Sequence, residues 1–411
     1  MQPAEFLYWS RIDAPSVKRL RAIATRVFGF DPAPSDDVVR TIASMYYDAD
    51  PLAEAFVDEV YLARGYEVGR AMLDRALTEG VGAIEDAPAS LRALFEDLDR
   101  DPVWVDRARV DRGAKVFRRW GTAVFRFAGA ITLAAYTESS VAKPLALTGA
   151  YAGASTRHRF LETASFWIDV SEPGGLEQGA PGRAAALRVR IMHVFVRRRL
   201  LQHPEWDLAA WGVPISQADA LLTLMGGSVA PGVALHAMGY RTSRDEIEDA
   251  MHFWRYVGHL MGVRPRWFPA DVREAMQLAF VTFLKNAELA GDDGKRLCES
   301  YVEAFTPSDD PSRPWSRRVA DAFEHGVHRG YTRFFMPPHL YRRFELPPAG
   351  LWALHPIVRA PFVFAAETLR RRSSRLDALA DRVARTQRRR WLDRQLEGKR
   401  AAFKPVQSFQ R

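Results

Sequence analysis

One histidine falls where an imidazole could do chemistry. On a helix predicted over Gly182–Gln202, Ala186, Val189, His193, Val196 and Leu200 recur at steps of three and four, so they share one face. That face is otherwise apolar, and His193 points at the core. A neutral imidazole there is either satisfied by a hydrogen bond, as a core histidine, or ligates a metal or a haem iron. Arg188, Arg190 and Arg197 to Arg199 surround it. They read as a solvated face, or as a cationic rim for the two propionates of a haem.

A second helix lies upstream. Arg159 and Thr163 are four apart and share a face, with Phe160, Phe166 and Trp167 close by. Arg159 either snorkels to water from a helix edge or stands beside a ligand. From Thr163 to His193 is 30 residues, interrupted by Ser171-Glu-Pro-Gly-Gly. Two helices and a tight return would bring both residues to opposite faces of one planar ligand, the arrangement of a globin.

The remaining constellations are weaker. Glu324 and His328 lie one turn apart, and His252 and His259 share a face. Either pair could contribute to a non-haem metal site, but no second Glu-x-x-His set exists to complete a di-metal bundle. His158 and His236 carry no assignment. No Walker A loop, GxGxxG after a strand, HExxH or GxSxG is present, which argues against NTPases, Rossmann dehydrogenases, zincins and serine hydrolases. Gly80-Val-Gly82 lacks the third glycine.

The elements that must position these residues are helices. Helical periodicity recurs along the chain and strand alternation is nearly missing. It predicts helices over Asp37–Val60, Leu91–Leu98, Val105–Tyr136 in two pieces around Gly129, Ser155–Val170 and Gly182–Gln202. Further helices are predicted over Ser216–Met225, Ser243–Met261, Pro269–Ala290, Arg317–Phe335 and Pro361–Leu396. Thr306 to Pro314 is the clearest loop. The fold class expected is all-α, as one large helical domain.

Of 411 residues, 47% are hydrophobic, with 11 Trp and 24 Phe, enough to enclose a ligand. The lone cysteine, Cys298, excludes an internal disulfide, a Cys-rich metal site and c-type haem attachment. The first residues show no basic start followed by an apolar run, so no signal peptide is expected. The nearest approach to a membrane-spanning stretch, Ala349 to Ala366, is broken by Pro356 and Pro361. A cytoplasmic chain is the expectation.

The net charge is +8, and residues 370–411 hold 14 Lys/Arg against 4 Asp/Glu. The body is near neutral and the tail basic, which is not the pattern of a nucleic-acid groove. Leu376, Leu379, Val383 and Trp391 interleave with the arginines. The tail reads as a helix packed on the body, with Asp377, Asp381, Asp393 and Glu397 punctuating its charge, or as a peripheral contact to an anionic membrane.

Arg159-x-x-x-Thr163 followed by His193 resembles the signature of the MpaB and latex-clearing-protein (rubber oxygenase) catalytic domain. Asp101-Pro-Val-Trp-Val-Asp106 and Lys143-Pro-Leu-Ala-Leu-Thr-Gly149 are similar to segments of that family, in order. So are Trp211-Gly-Val-Pro-Ile-Ser216 and Trp254-Arg-Tyr-Val-Gly-His-Leu-Met-Gly262. The resemblance covers about residues 95 to 265.

The resemblance implies a haem b in a globin-like helical core, with His193 as proximal iron ligand and Arg159 and Thr163 beside the haem. It implies a haem-dependent oxygenase that uses O2 on an apolar, unsaturated isoprenoid or lipid-like substrate, by oxidative C=C cleavage. The alternatives are a non-catalytic haem carrier or gas sensor, and a non-haem metal oxygenase. The layout it implies is an N-terminal helical segment over residues 1–94 and a haem-binding oxygenase core over 95–305. C-terminal helices of the same body follow over 306–368, then the basic amphipathic tail over 369–411. At one position the chain departs: rubber oxygenases carry a lysine just before the signature threonine, and here it is Glu162. Glu162 is read either as a distal base for proton transfer or as facing away. This departure and the expected lack of an export signal turn the expectation from polyisoprene itself to another isoprenoid or unsaturated lipid.

Overall fold

Proline sets the first boundaries. The computed structural model describes residues 1–149 and 155–398. The helix predicted over Asp37–Val60 is three pieces: a helix Asp36–Ser44, a tight turn Met45–Tyr47, and α1 (Pro51–Phe56) running on as a π-helical turn Val57–Leu62. Pro51 supplies no N–H and forces Asp50 out of the helical region. Asp50 then caps α1 by accepting from the Ala53 N–H at 3.3 Å. After α1 the chain forms α2 (Tyr66–Glu79), unforeseen because its apolar stripe is weak.

The next expectation fails at its glycine. The predicted break at Gly129 is instead at Trp120–Thr122, between α3 (Arg107–Arg119) and α4 (Ala123–Ala135), where Gly121 takes a positive φ of 59°. Gly129 lies inside α4 because a tyrosine packs there: an added Cβ would lie 1.7 Å from the Tyr301 hydroxyl. Close packing, not chain reversal, needs that glycine.

The two site helices follow the expected limits closely. They are α5 (Ser155–Ser171) and α6 (Pro181–Leu201), with Pro181 at the first position of α6, where its missing N–H costs nothing. Gly182 rests against the Asp169 carbonyl, where a Cβ would come within 2.5 Å. The helices therefore pack antiparallel across a short turn.

Behind them, α3 crosses α7 (Arg244–Leu260), and Gly113 lies on the Asp249 carbonyl. Phe117, Trp120, Phe253 and Trp254 fill this crossing, with Trp167 of α5 against Phe117 and Trp254. The helix α8 (Gly291–Glu303) brings Tyr301 to α4.

The C-terminal quarter holds α9 (Trp315–Phe335), α10 (His355–Arg370) and α11 (Ser374–Leu396). The single helix predicted over Pro361–Leu396 is thus two, divided at Arg371–Ser373, where Ser373 caps α11 through the Arg375 N–H. Residues 399–411 of the basic tail lie outside the described residues. Among the described residues no β-strand forms, and one isolated bridge joins Phe6 to Asn286. The fold is all-α. The apolar run Gln217–Met238 is long enough to cross a membrane, but 56% of its window is buried in the protein and Ser228 interrupts it, so here it is core.

Candidate active site

His193 is carried on α6 with its side chain half-buried. Burial pushes its pKa down to about 4, the nearby Arg197 adds to that, and Asp50 opposes it. The imidazole is neutral at pH 7 and keeps a lone pair. Among the described residues no hydrogen bond reaches either ring nitrogen.

The depressed pKa has a measurable consequence. The unfolded imidazole titrates near 6.5 and the folded one near 4, so the folded chain binds the proton more weakly. The stability His193 contributes is complete above about pH 6.5 and is lost as pH falls toward about 4, a change of roughly 3 kcal/mol. Denaturant midpoints of the haem-free protein at pH 7 and pH 4.5 should fall further for wild type than for His193→Leu. Parallel falls would show that the ring is not buried neutral.

The arginines around His193 divide: Arg190 and Arg197 are buried, while Arg188 and Arg198 stay in contact with solvent. Arg190 is 1% exposed and donates to Asp50 at 2.7 and 2.9 Å and to Asp97 at 3.0 Å. Arg197 donates to Glu54 at 2.9 Å and to the carbonyls of Pro214 and Ile215. Arg188 pairs with Asp74 of α2, and Arg198 with Asp58. These four clamp α6 to α1, α2 and the turn between them, which fixes the rotation of α6 and hence the direction of His193.

On α5 the signature residues form a local knot. Arg159 donates to Glu162 at 3.0 Å, and the Thr163 hydroxyl donates to the Arg159 carbonyl at 3.1 Å. His158 Nε2 lies 3.3 Å from the other Glu162 oxygen. Glu162 is buried; burial raises its pKa while Arg159 and His158 oppose the rise. His158 was unassigned in the sequence, though its spacing of four from Glu162 was visible there. Counting back along the antiparallel pair from the Gly182–Asp169 contact sets His193 level with His158 and Arg159, about one turn from Thr163.

This knot predicts an order of variants. Glu162→Gln keeps the shape and removes both the ion pair and the buried charge, so it costs about 1 kcal/mol or less. Glu162→Lys sets a cation beside Arg159 and His158 and costs about 3 kcal/mol or more. Chemical denaturation measures both; a lysine tolerated as well as glutamine would mean that the knot does not hold α5.

The aromatic residues of α5 divide. Phe160 packs on Phe305, Tyr301 and His328, and Trp167 is in the core crossing. Only Phe166 opens onto a cleft, of about 1230 Å³, which it lines with Met192 and Phe195 of α6 and Tyr61 and Tyr66 beyond. His193 and Thr163 are not among the lining residues of that cleft.

His252 is buried, and its Nε2 accepts from the Asp106 N–H at 3.1 Å. His259, which shares a face with His252, is also buried: its Nε2 has no hydrogen-bond partner among the described residues, and burial pushes its pKa down to about 4. His328 lies 3.1 Å from Glu324, which Arg126 and Trp391 also bind. Among the described residues no three His, Cys, Asp or Glu side chains converge as a metal site.

Residues 114–371 match the model of the ER-bound oxygenase mpaB/B′/rubber oxygenase catalytic domain. This chain belongs to that family. The match spans well over half of the chain, from α3 through α10, and holds Arg159, Glu162, Thr163 and His193. The rubber oxygenase of Streptomyces sp. (strain K30) is 28% identical over 230 residues, 54% of this chain and 54% of that protein. The chain therefore spans about half the length of this curated relative. The solved structure of latex clearing protein in its closed state superimposes with a TM-score of 0.57 at 18% identity, covering 85% of this chain and 91% of that one. At that identity the likeness is one of fold.

Proposed function

We propose that this protein is a haem b-dependent oxygenase that acts with O2 on an apolar, unsaturated substrate of isoprenoid or lipid-like class, by oxidative cleavage of a C=C bond. The observation that carries the reading is His193: a neutral, half-buried imidazole with no hydrogen bond among the described residues, in a chain from an oxygenase family. A neutral imidazole keeps the lone pair that a proximal iron ligand needs. Haem held there would supply the activation of O2.

The chain's own residues would do the rest. His193 would ligate the iron, held in direction by the clamp on α6. Arg159, fixed by Glu162, would offer a cation on the neighbouring helix, and the Thr163 hydroxyl a polar contact one turn on. Glu162 acts through Arg159 and His158 and is a positioning residue; its raised pKa also suits it to hold or release a proton near them. Apolar walls would exclude water and favour a hydrocarbon substrate.

Oxygen consumption by the haem-supplied protein tests this, with a polyisoprene emulsion and with a short isoprenoid. Substrate-dependent uptake is expected. A haem-loaded protein that consumes no O2 with either substrate would instead be a carrier or sensor.

A further inference from the structure

Among the described residues, the C-terminal helices leave a broad apolar surface uncovered. On α9, Trp315, Val319 and Phe323 follow one another at steps of four, and Trp315 is 76% exposed. The Phe323 ring touches Trp352 at 5.4 Å and His355 at 6.0 Å, so the stripe is continuous with the turn Gly350–Leu354 and the start of α10. There Leu351 is 85% exposed, and Leu354, Val358 and Phe362 continue along one side of α10, Phe362 at 72%. Leu376, Leu379 and Val383 form an exposed stripe of their own along α11. Contiguous exposed apolar surface of this kind marks an interaction site.

Charge identifies the partner. Three acidic residues of this region turn inward. Glu367 binds Arg370, Asp377 binds Lys115 of α3, and Asp381 binds Arg118 of α3 at 2.7 Å. Asp377 and Asp381 are therefore drawn to α3 rather than to the outer side of α11, while Asp393 near its end stays exposed. Arg375 and Arg382 lie on the same side of α11 as Leu376, Leu379 and Val383, Arg372 lies in the turn just before it, and all three are exposed. With Arg318 of α9, they have no carboxylate partner among the described residues.

We propose that this face of α9, the Gly350–Leu354 turn, α10 and α11 docks on an anionic phospholipid bilayer. Apolar side chains would enter the headgroup boundary while the arginines meet lipid phosphates. A second copy of the chain fits less well, because a two-fold contact would set arginine against arginine. The inference does not depend on haem at His193, and it is read without activity.

Sedimentation with vesicles tests it, using phosphatidylcholine alone and phosphatidylcholine mixed with phosphatidylglycerol. Binding to the mixed vesicles is expected to exceed binding to phosphatidylcholine by at least about 10-fold. Val358→Ser with Phe362→Ser should weaken it by more than about 10-fold. Arg372→Gln, Arg375→Gln and Arg382→Gln together should weaken it by about 100-fold. All five positions are surface residues, so unchanged thermal unfolding is the control. No binding to mixed vesicles overturns the proposal. So do equal binding to both vesicle types and a dimer in light scattering that the Phe362→Ser pair dissolves.

Discussion

His193→Ala, supplied with haem, is expected to lose or shift the Soret band of the parent and to lose oxygen uptake by about 1000-fold or more, roughly 4 kcal/mol of barrier. The effect is large because the imidazole would be the protein's bond to iron, and nothing nearby can replace it. Arg190 and Arg197, its nearest polar neighbours on α6, are cations already bound to Asp50, Asp97 and Glu54. The fold should survive. His193 takes part in no ion pair or hydrogen bond among the described residues, and its burial costs the charged form rather than holding the core together. Visible absorption, oxygen consumption and circular dichroism are read on the same samples. A folded parent without a Soret band, or a variant whose band is unchanged, would falsify the ligand assignment.

The largest loss of stability is expected from Arg190→Leu, at about 3–5 kcal/mol. Arg190 is the buried centre of the clamp: Asp50 accepts two of its bonds and Asp97 a third. Leucine removes the cation and leaves Asp50, 8% exposed along its side chain, as an uncompensated charge. Asp97 keeps Arg264 at 2.7 Å and is affected less. Asp50 also caps α1, so the damage reaches two elements. Adding Asp50→Asn to Arg190→Leu should recover part of the loss, because it removes the stranded charge while an amide can still cap the helix. Denaturant midpoints of the two single variants and the double variant measure this. Strictly additive losses would mean that the two groups do not depend on each other. Haem affinity should fall alongside stability, since α6 would no longer be held in rotation.

Both predictions depend on contacts that the chain order conceals. The limits of α5 and α6 are legible in sequence because their causes are local: the Pro-Gly-Gly turn, Pro181 at a helix start, and a 3.6-residue apolar period. The same locality makes the apolar face of α6 that carries His193 legible, and the order of short motifs reveals the family. Break points are legible only where the residue's role is unambiguous. Gly129 and Gly121 look alike in sequence; one accommodates Tyr301, about 170 residues away, and the other turns the chain.

What the sequence by itself determined is the all-α class, the two site helices and the candidate residues Arg159, Glu162, Thr163 and His193 upon them. Tertiary structure alone decided the partners. Arg190 meets Asp50 across 140 positions, and Arg118 meets Asp381 across 263. A charged side chain shows no preference in sequence for one distant opposite charge over another. The choice comes from the packed register of the helices, which sets which carboxylates share a buried space and which arginines remain outside in water.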